Sequence, residues 1–185
     1  LAFVAATIST SSGTNTTVSS VTGGGLPWVL VRRTNTQRGT AEIWRTFAPT
    51  TLTNVTVSAT LSQNVTSSMT VMSFTGVNTT GISGSGAIGA TGTGNANPGA
   101  PTASLVTTKA NSLVIGVGND WDKATARTVG ANQTLVHQYL APSADTYWVQ
   151  SVNTLVPSGT TVTVNDTAPT GDRYNVTTAE IITGP

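Results

Sequence analysis

The stretch Asn54–Ser62, "NVTVSATLS", decides how this chain folds. Val55, Val57, Ala59 and Leu61 alternate with Thr56, Ser58 and Thr60, so apolar side chains fall on one side of an extended backbone and hydroxyls on the other. A period of two is that of a half-buried strand. "TTVTVND", residues 160–166, repeats it with Val162 and Val164. "LAFVAAT" (1–7), "SMTVMSF" (68–74) and "SLVIGVG" (112–118) are apolar at both parities, which suits strands covered on both faces. Turn signals such as "TGGGLP", "SGT", "APTGD" and "NANPGAP" separate these runs at spacings that fit a sandwich better than alternating strands and helices. β-Branched residues are too dense, and Gly and Pro too frequent, for any stretch to carry a helical pattern. The expected architecture is a single all-β domain over residues 1–185, a two-sheet antiparallel β-sandwich, jelly-roll-like, of about a dozen strands. The glycine-rich segment 76–101 is expected to be a meandering connection or an edge hairpin.

Composition narrows the function. Charged residues make up 8% of the 185 and the formal net charge is +1, so no basic stripe is available to neutralise phosphates and nucleic acid is excluded as a partner. No apolar run approaches the roughly 20 residues that span a bilayer as a helix, and membrane insertion is not expected. With no cysteine, thiolate metal sites and Cys nucleophiles are ruled out. Thr, Ser, Asn and Gly dominate where Lys, Glu and Asp are scarce, a bias of secreted bacterial β domains that points to the cell surface. "LAFVAAT" is too short, and lacks the basic lead, to be a signal peptide, so a mature fragment or one domain of a longer protein is expected. Sequons at Asn15, Asn54, Asn64, Asn78, Asn132, Asn165 and Asn175 are possible glycan acceptors, and in a Thr-rich chain they also arise by chance.

"GTAEIWRTFAP" (39–49), "VMSFTGVNTTG" (71–81) and "TTKANSLVIGVG" (107–118) carry a resemblance. Through the E-x-W pair, the SF-x-GV strand end and the A-N-S-L-V-I-G strand entry, the chain resembles secreted bacterial jelly-roll-like β-sandwich repeat domains of large cell-surface and adhesin-type proteins. The likeness implies fold and location more than activity. Such domains usually place a strand ahead of the one matching "LAFVAATIS", which here begins at Leu1. An apolar edge at Leu1, Phe3 and Val4 is therefore expected to lack a neighbour and to accept a strand from a like subunit or a companion peptide.

Catalytic groups are few. His137 is the sole histidine, and no G-x-S-x-G elbow presents a serine to it, so a hydrogen-bonded strand histidine is expected. A two-carboxylate glycosidase needs facing acids, yet the only glutamates are Glu42 and Glu180. Each lies on a strand face, where structural pairing with Arg32, Arg33 or Arg45 is the expected role. Lys109 and Lys123 lie in turn-like segments, poor places for an internal isopeptide bond.

The best site candidate is "GVGNDWDK", residues 116–123. Asn119, Asp120 and Asp122 offer hard oxygens to calcium, and Trp121 beside Asp120 and Asp122 offers a stacking platform to a sugar. Equally, Asn and Asp here build Asx-turns after a strand. Asp145, Asp166 and Asp172 lie near other turns, and "NDTAPTGDR" is a second oxygen-rich loop, placed at one end of the sandwich. Trp28, Trp44 and Trp148 fall within strand patterns and read as core. No cofactor is expected, calcium excepted. The expected function is a non-catalytic extracellular structural or adhesive module, a subunit of a surface filament assembled by strand donation, whose partners are like subunits or neighbouring domains. The alternative is a carbohydrate-binding module that takes glycans with the help of calcium.

Overall fold

The structure, a computed structural model, describes residues 2–10, as backbone, and 16–184. Its strands are β1 (Ala2–Thr10), β2 (Val18–Thr22), β3 (Val29–Thr34), β4 (Thr40–Ala48), β5 (Ser58–Leu61), β6 (Ser67–Phe74) and β7 (Ile88–Gly99). The chain continues with β8 (Thr102–Val106), β9 (Leu113–Asp120), β10 (Thr128–Val129), β11 (Gln133–Ala141), β12 (Asp145–Val152), β13 (Thr161–Ala168) and β14 (Asp172–Ile181). A kinked 3-10 segment, Ile82–Ala87, is the single helical element among the described residues.

Every ladder is antiparallel, as expected of a sandwich. A five-stranded sheet, β11-β12-β9-β14-β7, faces a four-stranded sheet, β3-β4-β1-β6. Between them lies an apolar layer in which Ala41 and Ile43 of β4 meet Ile115 and Val117 of β9, Val149 of β12, and Ala179 and Ile181 of β14, with Met72 and Phe74 of β6 packed alongside. Two smaller sheets, which periodicity alone did not distinguish, cover the outer faces. The pair β2-β5 closes over Trp44 with Val18, Val21, Val57, Ala59 and Leu61. The sheet β10-β13-β8 covers the far side of the five-stranded sheet through Leu105, Val114, Val162 and Val164, and through Ala103 against Trp148, Tyr174 and Val176.

This layering explains which strands are buried on both faces, and it corrects one expectation: β6, apolar at both parities, is an edge strand on which Met69 and Val71 are exposed. β9 and β14 lie in the middle of the five-stranded sheet, with a second sheet on either side, and are buried along almost their whole length. It also explains the glycine-rich segment. β7 is the edge strand beside β14, and the chain turns back after Gly99, through Ala100 and Pro101, to lay β8 across it. A methyl group on Gly92 would collide with the Ser104 carbonyl, and one on Gly94 with the Thr102 carbonyl, so glycine here permits close backbone approach.

The first strand corrects an expectation. β1 is interior: Phe3 pairs with Phe47 on one side and Phe74 on the other, and Val4 with Thr46 and Ser73. Phe3 and Val4 therefore form no open edge, because both sides of their backbone are already laddered; Leu1 lies outside the described residues. The edges of this sheet are β3 and β6.

Candidate functional site

Strand alternation separates the residues expected to converge at 119–122. Asn119 and Asp120 are consecutive in β9 and project to opposite faces, and both are completely buried. Asn119 faces the four-stranded sheet: its Nδ2 donates to the Arg38 carbonyl at 3.1 Å and its Oδ1 accepts from Asn175 Nδ2 at 3.1 Å. Asn175 Oδ1 in turn accepts the backbone N–H groups of Thr36 and Gln37 at 3.1 and 2.9 Å. This amide pair holds the β3–β4 turn against the core and keeps Asn119 Oδ1 on the face of β9 opposite the Asp120 carboxylate.

The Asp residues of the loop are engaged as well. Asp120 Oδ1 accepts the N–H of Asp122 at 3.1 Å, the Asx-turn that the local sequence allowed. Asp122 Oδ2 pairs with Arg173 Nε at 3.3 Å. Over the Trp121 ring lie the guanidiniums of Arg38 and Arg173, 4.8 and 5.1 Å from the centroid, so its π surface is taken up by cations where a sugar would stack. Among the described residues no three His, Cys, Asp or Glu side chains are grouped to hold a metal ion. The calcium set Asn119, Asp120 and Asp122 is not assembled here.

What gathers on the other face of β9 is a buried charge cluster. Arg127, its side chain wholly buried, bonds Asp120 Oδ2 through Nη2 at 2.8 Å and Asp172 Oδ2 through Nη1, and lies over the Trp148 ring at 4.5 Å. Asp166 of β13 shares this neighbourhood and is 3% exposed, and both of its carboxylate oxygens lack a hydrogen-bond partner. Burial pushes the Asp166 carboxyl up to about 7, against the pull of the Arg127 charge and with the push of Asp172. Burial likewise raises Asp120 to about 7 despite its bond to Arg127, and raises Asp172. The Tyr174 phenol beside them is raised chiefly by burial. The sequence placed Asp166 and Asp172 in one oxygen-rich loop; the structure joins Asp172 to Asp120 through Arg127, a residue that no local pattern marks, and leaves Asp166 buried beside them without a bond. Asp145 is also buried, bonded by the Ser143 hydroxyl.

The two glutamates hold strands together. Glu42 takes a bidentate grip from Arg33, Nε at 2.7 Å and Nη2 at 3.1 Å, and further bonds from Trp44 Nε1, the Thr40 hydroxyl and the Val18 N–H. Arg33 is thus the expected ion-pair partner. Glu180 is held differently: it accepts the backbone N–H groups of Ala90, Thr108 and Lys109 and the hydroxyls of Thr108 and Ser112. Burial alone would raise its pKa, but the Ser112 and backbone bonds outweigh that and hold it below its ordinary value. His137 Nε2 lies 3.4 Å from Ser68 Oγ on the surface. A groove of about 540 Å³, lined by Trp28, Leu52, Val55, Val57 and Val71, contains no ionisable side chain among its described walls.

No family model, no characterised protein and no solved structure matches the chain.

Proposed function

We propose that the domain is a non-catalytic extracellular structural or adhesive module, a building block of a surface assembly whose partners are like subunits or neighbouring domains. One observation carries this reading. Glu42, Glu180, Asp120 and Asp172, four of the chain's seven acids, are buried and bonded to groups on other strands or turns, so the scarce ionisable groups are spent on fastening layers to one another. A reaction centre instead needs an acid or base that is aimed at an accessible space. The hydroxyl- and amide-rich surface composition supports an extracellular setting.

The test is negative-stain microscopy of concentrated protein, together with a glycan array run with and without chelator. Ordered assemblies and no chelator-sensitive glycan binding are expected. Glycan binding that disappears in Trp121→Ala would overturn the reading in favour of a carbohydrate-binding module.

A further inference from the structure

Arg33, Arg45, Arg127 and Arg173 are all at least partly withdrawn from solvent, and three of the four are paired with acids. Arg33 holds Glu42, Arg127 holds Asp120 and Asp172, and Arg173 holds Asp122. Arg45 is the exception. It follows Ala41 and Ile43 on the core-facing parity of β4, so its side chain is directed between the four-stranded and five-stranded sheets. Its Nε is buried with no hydrogen-bond partner, and among the described residues no carboxylate lies within ion-pair distance of it. Glu180 of β14 does not serve it. That residue alternates with Ala179 and Ile181 of the central layer and turns to the opposite face, where Thr108 and Ser112 bond it. Burial lowers the Arg45 pKa from its ordinary value, yet a guanidinium keeps its proton throughout the physiological range. One positive charge is thus left uncompensated at the mouth of the sandwich.

Beside it is a cleft of about 250 Å³. Leu30 and Val31 of β3, Ile88 and Thr91 of β7, and Ser85 of the 3-10 segment form its walls, so it opens where the edge strands of the two facing sheets meet. Arg45 is the only ionisable side chain among the described walls. We propose that this cleft binds a small monocarboxylate with a short aliphatic body. The two carboxylate oxygens match the fork of the guanidinium, and the aliphatic end lies against Leu30, Val31 and Ile88. Each part of that description is set by the walls. A single cation balances one negative charge, so a phosphate or a dicarboxylate would bury an excess charge of its own. No acid is at hand to receive an ammonium, so an amino acid of the same size is rejected. The volume lies under the range of about 300 to 1,000 Å³ that takes drug-sized ligands, which keeps the body small. This inference goes beyond the structural role proposed above and does not depend on it.

The test is a titration of isotope-labelled protein with sodium isovalerate at constant ionic strength, followed by proton–nitrogen NMR that includes the Arg45 Nε–H signal. Saturable shifts confined to Arg45, Leu30, Val31 and residues 85–91 are expected. Valine, which is isovalerate with an α-ammonium, isovaleramide, which has no charge, and chloride, which has no body, are titrated in the same way. Each is expected to bind about tenfold or more weakly, the loss that follows from removing a charge-assisted bond or leaving a charge unpaired. Arg45→Met removes an unpaired, partly buried charge, so it is expected to fold and to lose the isovalerate shifts. Shifts that do not saturate, that valine, isovaleramide or chloride reproduce, or that survive in Arg45→Met would overturn the site. If the variant fails to fold, the comparison of the four solutes on the parent protein decides by itself.

Discussion

Asp166→Asn is the substitution that tests the buried cluster most directly, because Asp166 alone among the three acids there has no bonding partner for either oxygen. Its carboxyl rises from 3.8 to about 7 on folding, mainly through burial. A group whose folded pKa lies above its unfolded one holds its proton in the native state while the unfolded chain has already lost it. Stability from this group is therefore complete below about pH 4, declines through the window from 4 to 7, and is gone above 7. Three pH units at about 1.4 kcal/mol each give a loss on the order of 4 kcal/mol. Asp120 shares both the direction and the window. Glu180, held below its ordinary value, works in the opposite sense: its contribution is present above the unfolded pKa of 4.5 and lost as the pH falls below that. The domain is thus expected to be most stable near pH 4 to 5 and to weaken toward neutrality.

Asparagine keeps the shape and removes the titration, at a cost of about 1 to 3 kcal/mol for a buried amide lacking partners. At pH 4.5 the variant is expected to be less stable than the parent by that amount. At pH 8, where the parent bears an unpaired buried charge, the variant is expected to be equal or more stable by about 1 to 3 kcal/mol. Urea unfolding followed by tryptophan fluorescence at the two pH values reads both numbers. A parent midpoint that is unchanged or higher at pH 8, or a variant-to-parent difference identical at both pH values, would refute the reasoning.

Arg127→Met removes the cation between Asp120 and Asp172 and leaves both acids buried, so a loss of about 3 to 5 kcal/mol is expected at pH 8, and a smaller one at pH 4.5, below the Asp120 value of about 7; chemical denaturation at both pH values measures it. Glu42→Gln weakens the grip of Arg33 and should cost about 1.5 to 3 kcal/mol, read as a lower melting temperature. Gly94→Ala drives a methyl into the Thr102 carbonyl and should cost about 1 to 3 kcal/mol, with hydrogen exchange accelerated in β7 and β8 ahead of the rest.

Strand type was legible wherever alternation is regular. Val57, Ala59 and Leu61 pack on Trp44 while Ser58 and Thr60 face solvent, as the period of two requires. Val162 and Val164 turn inward on β13 in the same way. The number of layers was not legible, because alternation says that one face is buried but not which sheet buries it. Runs apolar at both parities carried the missing information only in part: β9 is covered on both sides, whereas β6, written the same way, is an edge strand with Met69 and Val71 exposed. Glycine marked an edge, as one of the two expectations for 76–101 had it, but for a different reason. Around Gly92 and Gly94 the density of glycine comes from another backbone lying against the strand.

The site failed to be legible for the same geometric reason. Three polar residues and a tryptophan in a row look like a cluster in one dimension, but β9 is central, and at a central strand neighbours in sequence are delivered to different layers. Asn119 goes to the β3–β4 turn, Asp120 to Arg127, and only Trp121 and Asp122, past the end of the strand, remain together at Arg173. The residues that do meet, Asp120, Arg127, Asp166 and Asp172, come from the end of β9, the approach to β10, β13 and the start of β14. Asp120 ends β9 and Asp172 begins β14, neighbouring strands of the five-stranded sheet, while their shared cation Arg127 lies just ahead of β10 in the small covering sheet, so the cation acts as a fastener between the two sheets. Asp120 and Asp172 are held there by bonds to the cation, while Asp166, buried beside them with neither oxygen bonded, is the acid through which the cluster answers most directly to pH.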